Sequence, residues 1–168
     1  MASFPVGRHY NDPDMFEIGS NAGIRGGFKQ LTPDEQYTHV SLWCLLSAPL
    51  LLGCDLEKLD PFTLGLITND EVLALDQDIL CKPAACVSTN GDFRVYVKEL
   101  ADGNKAVGLF NTGEKPLAAT LPWEMIGVKG SQHLRDLWRQ KELGAFEGKF
   151  PAEIPAHGVV LVKLTPGT

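Results

Sequence analysis

A chain of 168 residues, 44 % hydrophobic and 21 % charged, has the composition of an ordinary globular protein with room for one domain or two small ones. It is too short for a complete eight-fold β/α barrel, which needs about 250 residues. A net charge of −6 with no basic run argues against nucleic acid or an anionic membrane as partner. The longest apolar run, "SAPLLLGC", falls far short of the ~20 residues of a membrane span.

The charge is unevenly spread. Residues 1–82 hold five basic and twelve acidic side chains, residues 83–168 ten and nine, so the composition breaks near Lys82. Met1–Val6 lacks the basic and apolar regions of a signal peptide.

The first dense segment is "HYNDPDMFEIG", with His9, Asp12, Asp14 and Glu17 around one proline. Residues 20–31, "SNAGIRGGFKQL", carry turn formers without apolar period and read as a loop. Thr32-Pro33-Asp34-Glu35 is a capping box with proline at the first helical position, so a helix starts here and stops before Pro49. Val40, Trp43, Cys44 and Leu46 supply its expected apolar face. "PLLLGC" then reads as a short strand buried on both faces of a parallel sheet. Asp60-Pro61 and Asn69-Asp70-Glu71 predict two further helix starts. This is α/β punctuation, but one or two strands do not make a sheet.

From residue 86 the period becomes two. "DFRVYVKEL" alternates through Phe93, Val95 and Val97, and "NKAVGLFN" through Ala106, Gly108 and Phe110. "HLRDLW", "GKFPAEIP" and "GVVLVKL" continue the pattern between Gly and Pro turns, which predicts an antiparallel sandwich or barrel.

Asp12 and Asp14 are the obvious carboxylate pair. On an extended chain they would share one face at roughly 7 Å, given a rise of ~3.3 Å per residue. Carboxyls that cleave a glycosidic bond must flank it from opposite sides, at ~5–5.5 or ~6.5–9.5 Å. Neighbours on one strand rarely do that. A better division has one carboxylate facing a ligand and the other holding the loop through backbone N–H groups. Spacing alone leaves ligand-facing and purely structural roles open. A hard cation held by His9, Asp12, Asp14 and Glu17 lacks EF-hand spacing.

His39 and Trp43, four apart on the first helix, read as packing residues. Arg135-Asp136 reads as a local ion pair and His157 as a turn residue. Gly26-Gly27 is too sparse for a phosphate loop. Four free or buried thiols are the plain reading of Cys44, Cys54, Cys81 and Cys86, with a Cys81–Cys86 bridge as the alternative. A zinc site has no C-x2-C or His pair to support it.

"YNDPDM" (10–15), "YTHVSLWCLLSAPLLLGCDL" (37–56) and "LITNDEVLALDQD" (66–78) together resemble glycoside hydrolase family 27, the α-galactosidases and α-N-acetylgalactosaminidases. "HLRDLW" and "IPAHGVVLVKL" resemble its C-terminal domain. The resemblance implies mixed α/β plus all-β architecture: the C-terminal part of a (β/α)8 TIM barrel over 1–82, then an antiparallel β-sandwich over 86–168. It implies that Asp14 and Met15 face the sugar, while Asn11, Asp12 and Pro13 shape the loop beside them.

The family's reaction is retaining, with one aspartate attacking the anomeric carbon and another serving as acid and then base. Both lie upstream of N-D-P-D-M in the family. No matching motif occurs here, so no catalytic residue is assigned and the chain alone is expected to be inactive. No metal or cofactor is expected.

The implied partner is an α-galactoside, bound within a complete barrel. The apolar faces of 1–82 call for an N-terminal partner chain or a second copy to cover them. A periplasmic or secreted setting follows from the resemblance alone. The alternative is a non-catalytic accessory protein that binds carbohydrate or a partner. Tyr10, the loop over 20–30, Asp76, Ile79 and Cys81 depart from the family pattern.

Overall fold

The computed structural model describes residues 12–19 and 31–167. His9, Tyr10, Asn11 and residues 20–30 of the expected loop lie outside the described residues.

Among the described residues the α-helices are α1 (Pro33–Leu46), α2 (Pro61–Ile67) and α3 (Asp70–Asp76). Each starts on the side chain its sequence offers. Thr32 Oγ1 accepts from Glu35 N at 3.3 Å while Glu35 Oε2 accepts from Thr32 N at 2.7 Å. Asp60 accepts from Thr63 N, and Asn69 from Val72 N. These bonds satisfy amide groups that a helix start leaves without partners. Helix α1 ends at Ser47, whose φ of 51° turns the chain out of the helix.

Two local expectations are corrected. The buried apolar residues of α1 are Val40, Cys44 and Leu45, with Leu46 only half-buried, because the docked face is rotated toward Leu45. The segment 50–54 is not a strand buried on both faces. Only Leu52 pairs, as one parallel bridge to Phe16, and Leu51 is 61 % exposed. A parallel strand needs a neighbour on both sides for full burial, and only one is described here.

Eight antiparallel strands follow: β1 (Ala85–Asn90), β2 (Phe93–Glu99), β3 (Lys105–Asn111), β4 (Leu117–Pro122), β5 (Ser131–Asp136), β6 (Lys141–Glu147), β7 (Lys149–Ile154) and β8 (Val159–Pro166). A six-stranded sheet runs β1-β2-β3-β8-β5-β6, and β4 pairs with β7 in a second sheet. The period-two alternation divides the large sheet between two cores. Val95, Val107, Leu109, Leu134 and Val162 face Leu121, Phe150 and Ile154 of the small sheet. Ala106, Phe110, Val159 and Leu161 face the helices, against Val40, Leu45, Val72 and Leu75. Hence β3 is buried almost throughout. The molecule is an antiparallel β-sandwich with an α/β helical layer on the outer face of its large sheet.

That layer is fixed by polar contacts as well as apolar ones. Ala84 N donates to Leu45 O, and Thr38 Oγ1 to His157 O. Trp138 Nε1 donates to Ser41 Oγ, and Asn69 Nδ2 to the carbonyls of Leu137 and Trp138. Arg135 does not pair with its neighbour Asp136. It reaches Glu71 and Glu142, while Asp136 pairs with Arg139. Adjacent residues on a strand point to opposite faces, so the neighbouring carboxylate is out of reach. All four cysteines are free thiols.

Candidate functional site

The segment 12–19 alternates once past its turn: Met15 and Glu17 are exposed, Phe16 and Ile18 buried. Phe16 is the fixed point. Its N–H donates to Leu51 O at 2.8 Å, and its carbonyl accepts from Gly53 N at 3.0 Å. Its ring stacks on His39 at 5.0 Å, and His39 stacks on Trp43 at 4.0 Å. His39 and Trp43 therefore pack as a column under the loop. Burial pushes the His39 imidazole below its ordinary pKa, so it is neutral there.

Before Phe16 the chain turns on its own side chains. Asp12 Oδ1 accepts from Asp14 N at 3.0 Å, and Asp14 Oδ1 accepts from Met15 N at 2.7 Å. Asp14 has φ 80°, a left-handed conformation that aspartate tolerates because its short carboxyl bonds locally. The extended geometry expected for 12–14 is thus broken at Asp14, and the two carboxylates do not form a strand-face pair. Asp12, Pro13, Asp14 and Met15 form one exposed stretch of chain. Asp14 Oδ2 has no protein hydrogen bond among the described residues and is free to accept from a ligand hydroxyl. Asn11 lies outside the described residues.

Gly53 is a residue that sequence reasoning passed over. A Cβ there would stand 3.3 Å from Met15 Cε and 3.2 Å from Glu17 Cγ. The missing side chain is what lets Met15 lie across the end of segment 50–54. The sequence signal was a glycine closing an apolar run. Chemically the exposed stretch offers two carboxylate oxygens without protein hydrogen bonds among the described residues, Asp12 Oδ2 and Asp14 Oδ2, with a half-exposed thioether beside them, a polar-plus-apolar pairing suited to a polyol with one apolar face.

Comparison with known proteins places both halves. Residues 2–78 match the family model described as alpha galactosidase A, and residues 90–164 match that of the alpha galactosidase C-terminal beta sandwich domain. A probable alpha-galactosidase from Dictyostelium discoideum is 40 % identical over 163 residues, covering 94 % of this chain and 40 % of that protein. The alpha-galactosidase of Cyamopsis tetragonoloba is 36 % identical and covers 94 % and 37 %. Among solved structures, alpha-galactosidase I from Mortierella vinacea superposes with a TM-score of 0.85 at 33 % identity, covering 94 % of this chain and 40 % of that one. A GH27 β-L-arabinopyranosidase from Geobacillus stearothermophilus gives 0.87 at 33 %, covering 95 % and 38 %. The chain spans about two fifths of the length of the curated relatives it matches.

Proposed function

This chain belongs to the α-galactosidase family, glycoside hydrolase family 27, and on that premise we propose that it is the C-terminal portion of a retaining α-galactosidase-like hydrolase. In this reading residues 1–82 complete a (β/α)8 barrel and residues 86–168 form the sandwich beside it. Asp14 and Met15 contribute one rim of the pocket for a terminal α-galactosyl residue. Asp14 accepts a sugar hydroxyl through its free oxygen, and Met15 lies against the ring. Asn11, Asp12 and Pro13 shape the turn that presents them.

The carrying observation is the clamp of Phe16 between Leu51 and Gly53, which seats the rim on the end of an apolar segment. Functional groups of β/α barrels lie at such strand ends. Retaining chemistry needs a nucleophile and an acid/base on opposite sides of the anomeric carbon. In this reading Asp12 and Asp14, bound to one local turn, fill neither role, and the family resemblance implies that both catalytic carboxylates lie upstream of this segment.

The isolated chain should release no galactose from an aryl α-galactoside. Co-expression with the upstream barrel segment of a family member should restore hydrolysis, and Asp14→Ala in that assembly should lower kcat/KM. Enzyme-like turnover by the chain alone would overturn the reading.

A second reading is favoured by Met15, Leu51, Leu56 and Leu64, which are 49, 61, 60 and 48 % exposed. These large apolar side chains suit a partner chain, as in a non-catalytic accessory protein. Calorimetric titration with galactosides separates the two: saturable binding by the chain without any barrel partner supports the accessory role.

A further inference from the structure

The junction between the helices and the large sheet contains a charged cluster with no part in the sugar rim. Lys98, on β2, is fully buried. Its Nζ donates to Ser47 Oγ at 2.5 Å and to Lys82 O at 2.8 Å. Ser47 caps the C-terminus of α1, where the helix dipole is negative and a cation is favoured. Asp76 is the last residue of α3, where that dipole disfavours an anion, and it is electrostatically coupled to Lys98 and to Cys44 of α1. Its Oδ1 is buried with no hydrogen-bond partner among the described residues. An ionised carboxylate in that position lacks the donors that normally offset its burial, whereas a neutral carboxyl does not need them.

We propose that Asp76 is a proton-operated latch on the packing of α3 against α1 beside Lys98: neutral, it lets the junction close; ionised, it loosens it. Among the described residues, the titratable groups coupled to it sit on neighbouring elements. Lys98 comes from β2 and the Cys44 thiol from α1; Asp78 and Cys81, from the turn after α3, face Lys98 as well. Burial raises the Asp76 carboxyl to about 6, and Lys98 draws it back only in part. Burial lowers the Lys98 ammonium, with Asp78 and Asp76 opposing that. Burial also raises the Cys44 thiol, which therefore stays neutral near pH 7 and supplies no charge of its own.

The sign follows from linkage. A carboxyl whose folded pKa lies above its unfolded value stabilises the fold fully below the unfolded value. That contribution is lost as pH rises through about 6. Between pH 4.5 and 7.5 the latch therefore runs opposite to ordinary acid denaturation.

The test is thermal unfolding of the 168-residue chain and its Asp76→Asn variant across pH 4.5–7.5. The variant keeps the shape and removes the charge. It should melt about 2–4 °C higher than the parent at pH 7.5 and level with it at pH 4.5. Amide exchange in α3, corrected for intrinsic rates, should be about tenfold faster at pH 7.5 than at pH 5 in the parent only. A melting difference that is the same at both ends of the range would overturn the latch. Should Asp76→Asn fail to fold, carboxyl 13C titration of the parent decides: a midpoint near 6 supports the proposal, and one near 4 overturns it.

Discussion

Arg135 on β5 grips Glu71 on α3 across 64 positions of sequence, with Nε to Oε2 at 2.7 Å and Nη2 to Oε1 at 2.5 Å. The fork geometry is one that a lysine cannot reproduce. Glu71 and its neighbour Glu142 hold the guanidinium well above its ordinary pKa, so it stays charged throughout the working range. Arg135→Lys should therefore lower the melting temperature, and the gap should shrink in 1 M salt, because this pair is reached by solvent. A gap unchanged by salt would show that packing of the guanidinium, rather than its charge, matters at this contact.

Helix α3 is held a second way through Asn69. Its Oδ1 accepts from Val72 N at 3.1 Å, and its Nδ2 donates to Leu137 O at 3.1 Å. Asn69→Ser keeps the cap and loses the cross-link; Asn69→Ala loses both. Denaturant titration should rank the parent above Ser and Ser above Ala, with about 1–2 kcal/mol between parent and Ala.

Gly108 on β3 lies directly beneath α1. A Cβ there would stand 2.6 Å from Leu45 Cδ1 and 2.6 Å from Phe110 Cε2. Both neighbours are buried, so neither moves freely. Gly108→Ala should cost about 1–3 kcal/mol by overpacking. Combined with Leu45→Ala it should cost less than the sum of the two, since the added methyl fills part of the space vacated. Strict additivity in urea unfolding would place the strain elsewhere.

Gly53 seats Met15 at the edge of the fold, where the neighbouring side chains are exposed. Gly53→Ala should change stability by less than about 0.5 kcal/mol. In an assembly with the upstream barrel, the same change should raise KM for an aryl α-galactoside. An unaffected KM would detach Met15 from the sugar.

His39 supplies a pH dependence of opposite sign to Asp76. Burial holds its folded pKa below 6.5, so its contribution is present above that value and is lost as pH falls through the folded pKa. His39→Phe keeps the stack between Phe16 and Trp43 and removes the titrating ring. From pH 7 to pH 5 the parent should lose melting temperature relative to this variant.

The starts of the helices were written in sequence: Thr32 with Glu35, Asp60 with Thr63, and Asn69 with Val72 each make their capping bond within three residues. The strands were legible for a like reason, since alternation is a property of consecutive residues. The turn at Asp12 and Asp14 was legible likewise, since each carboxylate accepts from an amide one or two residues on. Tertiary structure alone decided that Phe16 would be clamped between Leu51 and Gly53, and that Gly53 would make room for Met15. It decided too that Arg135 would leave Asp136 for Glu71, and that Lys98 would be buried against Ser47. Caps and alternation are fixed by bonds that span a turn or a pleat. Partners 51 or 64 positions apart are fixed by how one layer docks on another, which the packing of many side chains settles together.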